Sequence, residues 1–158
     1  MTTTIGKPAD LLGMAGTNLG TSDWLEIPQG DIDMFAKATH DEQWIHVDVE
    51  KAQNGPFGGT IAHGYLTLSL FIPLWSEILV IEQLGMAVNY GLNKVRFPAP
   101  VPAGAKVRLQ ATLTEVTDIG NGSVQAGIDA IMECEGSEKP VCIAQMVHRY
   151  YAESGSPI

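Results

Sequence analysis

Tyr65-Leu66-Thr67-Leu68-Ser69-Leu70-Phe71-Ile72-Pro73-Leu74-Trp75-Ser76-Glu77-Ile78-Leu79-Val80-Ile81 is apolar almost throughout, broken only by Thr67, Ser69, Ser76 and Glu77. A membrane helix needs about 20 residues with few polar interruptions. This run is shorter, carries Glu77 and has Pro73 near its middle. It reads instead as one long helix, hydrophobic all round, at the buried centre of a globular domain.

Downstream of that helix the chain reads as strands. Met86–Pro98 is the first. In Lys106–Leu113 the apolar residues Val107, Leu109, Ala111 and Leu113 alternate with polar ones, the period of a half-buried strand. The alternation slips at Glu115-Val116, which predicts a bulge. Asn121-Gly122 predicts a two-residue hairpin, and alternation resumes from Val124 to Met132. Pro140–Tyr151 is apolar on both faces and so is expected to be central. Strands joined by such short turns are antiparallel. The pattern predicts an α+β domain, with a long central helix wrapped by an antiparallel sheet.

Upstream of the long helix, Trp24–Ile27 reads as a short strand closed by Pro28. Ile32, Phe35, Ala36 and Thr39 then lie on one face of a helix that ends near His40. Asp48–Ala52 can make one helical turn, and Gln53–Thr60, with Gly55, Pro56, Gly58 and Gly59, is a loop. Residues 1–19 read as an arm lying on the surface, 20–152 as the domain, and 153–158 as a frayed tail.

With 158 residues the chain has the size of one domain. Its net charge of −9 argues against nucleic acid and anionic lipid as partners. Cys134 and Cys142 have no metal or redox spacing, and the first residues lack the pattern of a signal peptide. A reduced, cytoplasmic protein is expected.

No phosphate loop, dinucleotide fingerprint, nucleophile elbow or zinc motif occurs. General acid–base chemistry is what the remaining residues offer. His40, Asp41, Glu42, His46 and Asp48 crowd the connection after the first helix, where polar groups can converge on a cleft or merely solvate a helix end. Taken as metal ligands, His40, Asp41, His46 and Asp48 match no known spacing, so no metal is expected. Ala62-His63-Gly64 opens the long helix. Free N–H groups there can hold a developing oxyanion; equally, Gly64 can simply relieve crowding and His63 can be an ordinary hydrogen-bonded histidine. Lys94, Arg96, Lys106 and Arg108 put four of the nine basic residues on two successive strands, either to meet phosphates or to solvate a sheet face.

Asp41-Glu42-Gln43-Trp44-Ile45-His46 resembles the hydratase 2 motif of the MaoC-like dehydratases, the (R)-specific enoyl-CoA hydratases of the hot-dog fold. Ile61-Ala62-His63-Gly64-Tyr65-Leu66 is similar to the family's second landmark. Asn89-Tyr90-Gly91, Lys94–Pro98 and Pro100–Gly104 are similar to its third. The Asp–His pair is kept, while His40, Gln43 and Trp44 stand where the motif has Gly, Asn and Pro.

The resemblance implies a single hot-dog domain that hydrates trans-2-enoyl-CoA to (R)-3-hydroxyacyl-CoA, or runs the reverse dehydration. It implies Asp41 and His46 as the acid–base pair around one water, and the Gly64 N–H as the donor to the thioester oxygen. Gln43, His63, Lys94, Arg96 and Arg108 become candidate substrate-binding residues, the basic ones near the CoA phosphates. No cofactor is implied beyond the CoA of the substrate, and a homodimer or dimer of dimers is expected. The rivals are a hot-dog acyl-CoA thioesterase and a non-catalytic acyl-CoA-binding subunit of a heterodimer.

Overall fold

The computed structural model describes residues 1–153. In chain order it contains β1 (Thr3–Ile5), a 3-10 helix (Pro8–Gly13), β2 (Asn18–Thr21), β3 (Leu25–Glu26), α1 (Gln29–Thr39), α2 (Trp44–Val47) and α3 (Val49–Gln53). Next come α4 (Gly64–Ser69), α5 (Phe71–Ile78), β4 (Leu79–Ile81), β5 (Leu84–Arg96), β6 (Lys106–Gly120), β7 (Ser123–Cys134) and β8 (Cys142–Ala152). The main sheet is antiparallel in the order β2-β6-β7-β8-β5, with β3 also paired to β6. The helical segment α4–α5 packs against this sheet, which is the expected α+β layout.

The β6–β7 hairpin follows its sequence closely. Asn121 and Gly122 have φ of 53° and 76°, the two positive values that a tight hairpin turn demands. The register shifts between Leu113 and Glu115, where the alternation breaks. β8 lies between β7 and β5 as expected, but only one of its faces is sealed. Cys142, Ala144, Met146, His148 and Tyr150 point inward, while Ile143 on the other face is 40% exposed.

The long helix departs from expectation in two ways. It breaks at Leu70, because Pro73 has no N–H for the Ser69 carbonyl and its ring crowds that carbonyl. It also stops at Ile78, and Leu79–Ile81 turns extended to pair in parallel with Thr3–Ile5. Nor is it buried all round: Phe71, Leu74, Trp75 and Ile78 face the sheet, while Tyr65 and Glu77 face out. Each of those fully buried side chains contributes about 1.5–3 kcal/mol.

Residues 1–19 are not a surface arm. β1 and β2 are both sheet strands, and Leu11 in the 3-10 helix is completely buried in the main core. The sequence hides this because the segment has no periodicity to read. Of the expected tail, Glu153 sits in a turn and 154–158 lie outside the described residues. Cys134 and Cys142 are free and buried. No helix among the described residues is long and apolar enough to cross a membrane.

One polar chain crosses the core. Trp75 Nε1 donates to the Tyr150 hydroxyl at 2.7 Å, and that hydroxyl lies 3.1 Å from His148 Nδ1. Burial drives the His148 pKa down to about 4. The folded state thus resists a proton that the unfolded chain takes near the ordinary value of 6.5, so stability is full above pH 6.5 and is lost as pH falls towards 4. That loss is about 3 kcal/mol, and denaturant titrations at pH 7 and pH 4 should show a smaller drop for His148→Leu than for the native chain. Leu11→Ala should lower the unfolding free energy by about 2–5 kcal/mol in the same assay, whereas a surface arm would tolerate it.

Candidate active site

The chain leaves α1 through His40, whose left-handed φ of 60° turns it sharply into Asp41-Glu42-Gln43. The sequence reads this segment as an irregular connection, yet its second half coils into α2. That single turn carries His46 inward, 6% exposed, while Asp41 and Gln43 stay on the surface. The Gln43 side chain makes no hydrogen bond to the protein among the described residues. Trp44 packs on Gly55 and under Lys51, so it shapes the following loop rather than a cavity.

His46 is held from behind. Its Nδ1–H donates to the Ile61 carbonyl at 2.7 Å, because a carbonyl can only accept. Nε2 is therefore the nitrogen left with a lone pair. Burial lowers the His46 pKa most; the Ile61 carbonyl raises it, His63 lowers it further, and the Asp41 charge raises it. Desolvation prevails, and the ring is a neutral base at pH 7.

Gln29 completes the clamp. Its amide nitrogen donates to the His46 carbonyl at 2.7 Å, and its amide oxygen accepts from the Thr60 hydroxyl. Three segments thus meet at one side chain from the first turn of α1. Sequence reasoning misses this residue, which sits in no motif and offers no signal beyond its place after Pro28.

His63 is buried behind His46 rather than facing a substrate. The two imidazoles stack with centroids 3.8 Å apart, and Phe35 lies 4.8 Å away on the His63 ring. His63 Nε2–H donates to the Asp41 carbonyl at 2.9 Å, which fixes the backbone that carries the carboxylate. Its Nδ1 is sealed and without a partner. The substrate contact expected of His63 is replaced by a positioning one.

Asp41, His46 and His63 bring one donor atom each to within 4.8 Å of one another. His40 and Asp48 of the sequence-based set are not among them, and Asp48 instead caps α3 by accepting from the Lys51 N–H. A metal would need the two imidazole lone pairs to converge. In rings stacked at 24° they run side by side, so this trio does not fit a metal as it stands.

In front of His46 lies a cavity of about 270 Å³, whose wall includes Gly64, Thr67, Phe57 and Phe97. Gly64 opens α4, so its N–H has no acceptor within the helix. A side chain there would meet the Phe97 ring at 3.2 Å. The structure thus brings the His46 ring and the Gly64 backbone to one cavity, with Asp41 beside His46.

The basic cluster does not survive folding. β7 and β8 separate β5 from β6, so Lys94 and Arg96 lie apart from Lys106 and Arg108. Arg108 is ion-paired to Glu133 at 2.7 Å and lies over the Trp24 ring. Succession along the chain suggests that the two strands are neighbours, and the long-range pairing of β5 with β8 overrules it. Lys94 and Arg96 remain exposed together, and Arg96 is followed directly by Phe97 of the cavity wall.

Residues 11–133 match the family model described as MaoC like domain. The chain belongs to the MaoC-like dehydratase family. It is 51% identical over 149 residues to 3-hydroxyacyl-thioester dehydratase Z of Mycobacterium tuberculosis, covering 94% of this chain and 99% of that one. Nodulation protein N of Rhizobium leguminosarum is 41% identical over 88% of both chains. The solved (R)-hydratase of A. caviae, involved in PHA biosynthesis, superposes with a TM-score of 0.65 at 22% identity, over 82% of this chain and 93% of that one. The fold of this MaoC-like domain is the hot-dog fold.

For His46, nitrogen NMR should report the Nδ1–H tautomer and a titration midpoint below 6.5. A midpoint at or above 6.5 would mean that the Ile61 carbonyl and the Asp41 charge together outweigh burial.

Proposed function

We propose that this MaoC-like protein adds water to trans-2-enoyl-CoA thioesters to give (R)-3-hydroxyacyl-CoA, and catalyses the reverse dehydration. The observation that carries this reading is that one cavity is lined both by a neutral His46, whose Nδ1 is held by the Ile61 carbonyl, and by Gly64 at the start of α4.

With the thioester oxygen at the Gly64 N–H, the β-carbon lies towards His46, and a water is held between Nε2 and the Asp41 carboxylate. His46 Nε2 takes a proton from that water as its oxygen bonds to the β-carbon. Electron density moves to the thioester oxygen, where the Gly64 N–H stabilises it as enolate character grows. The imidazolium, steadied by Asp41, returns the proton to the α-carbon on the same face. The elements of water are thereby added with no net proton change, and neither a metal nor a cofactor has a role.

Lys94 and Arg96 are placed to meet CoA phosphates beyond Phe97, whereas Arg108 is engaged elsewhere. Gln43 is free to hydrogen-bond the substrate from the surface side. Among the described residues β5 has a partner strand on one side only, and it exposes Met86, Tyr90 and Leu92, which favours two copies of the chain pairing along it. Two free, buried cysteines suit a reducing cytoplasm.

Crotonyl-CoA should lose its conjugated enoyl-thioester absorbance with the native protein and give the (R)-3-hydroxy product. Asp41→Asn should slow that loss by about 10²-fold or more. Release of free thiol instead would identify a thioesterase, and silence in both assays would leave an acyl-CoA-binding subunit.

A further inference from the structure

A second cavity, of about 220 Å³, opens further along the same helical segment. Gly64 and Thr67 line the first cavity, whereas Leu68, Ser69 and Ile72 line the second. Leu68, Ile72, Leu92 and Met146 make most of the second cavity apolar. His148 also lines it, as does its cross-strand partner Asn89 on β5.

The hydrogen bonds around His148 fix which nitrogen faces the cavity. An indole N–H only donates, so the Tyr150 oxygen accepts from Trp75, and among the described residues the buried Tyr150 O–H has no acceptor but His148 Nδ1, to which its hydrogen goes. Nδ1 therefore carries the lone pair and Nε2 carries the hydrogen. Among the described residues that Nε2–H has no protein acceptor, yet it is not sealed off: the only sealed, partnerless side-chain atom there is His63 Nδ1. Since His148 lines this cavity, we infer that the Nε2–H opens into it, a neutral donor among mostly apolar walls.

Resting on the hydratase reading above, we propose that this cavity holds the distal part of the acyl chain and that His148 Nε2–H selects chains bearing an acceptor oxygen there. A plain hydrocarbon chain would fill the same walls but strip water from the Nε2–H without replacing its hydrogen bond, which a site of this kind penalises. Tyr150 and Trp75 are positioning residues, since they hold the tautomer that presents the donor.

The test compares trans-2-decenoyl-CoA with derivatives carrying one keto oxygen at each successive carbon of the distal half. The native protein should favour one keto position by about tenfold in kcat/KM over the plain chain. His148→Leu should abolish that preference, and His148→Gln, which keeps an N–H, should restore part of it. Equal turnover of all chains by the native protein would overturn the proposal, as would a preference that survives His148→Leu.

If crotonyl-CoA is not turned over, the hydratase reading fails, and calorimetric binding of the saturated plain and keto acyl-CoAs tests the subsite alone. The same preference of about tenfold in Kd, lost in His148→Leu, would support it, and equal affinities would overturn it. Should His148→Leu not fold, Tyr150→Phe takes its place: releasing the tautomer should reduce the preference, and an unchanged preference would count against the proposal.

Discussion

The apolar ridge of Phe71, Leu74, Trp75 and Ile78 can leave water only against the inward faces of β6, β7 and β8. That one packing interface sets everything else. It fixes which face of each strand is inward, and so where Met146, His148 and Tyr150 point. Because the ridge runs along one helical segment, it also fixes where the segment begins. The start of α4, one short helix before the ridge, is the point at which Gly64 meets the cavity. Trp75 adds a directional element by giving its N–H to Tyr150, which a purely apolar ridge could not supply.

Around that interface the chemistry is assembled from short pieces held by backbone groups. His46 depends on the Ile61 carbonyl, Asp41 on the His63 ring, and α2 on Gln29 and Thr60. None of these supports is a charge pair. Neutral hydrogen bonds to main chain hold the imidazole in one tautomer; the Ile61 carbonyl raises the His46 pKa, but burial lowers it more. The exposed Asp41 can then supply charge from the solvent side. A buried base beside a surface carboxylate suits a reaction in which one water must be both oriented and deprotonated.

Asp41, His46 and Gly64 can be picked out in the sequence as candidates because they lie in contiguous stretches that resemble the family's motifs; residue types alone leave a solvated helix end and a glycine that relieves crowding equally open. The hairpin at Asn121-Gly122 and the bulge near Glu115 are legible because both are local statements about φ and period. Gln29, Thr60 and the inward role of His63 are not, since each acts on a residue 17 to 31 positions away or, for His63, 22 away. Lys94 and Arg96 look continuous with Lys106 and Arg108 for the same reason: strand order in a sheet is set by which faces bury together, not by succession along the chain.

By itself the sequence determined the α+β class, the antiparallel strands, the hairpin and the residue types able to perform acid–base chemistry. These are consequences of periodicity, turn stereochemistry and side-chain pKa, all of which act over a few residues. Only the tertiary structure decided that the first residues belong to the core, that the helix ends in a strand paired to them, and which nitrogen of His46 and of His148 is free. Those outcomes depend on what lies across a gap of a few ångströms from a distant part of the chain. A burial pattern can say that a side chain goes inside, but not which partner waits there.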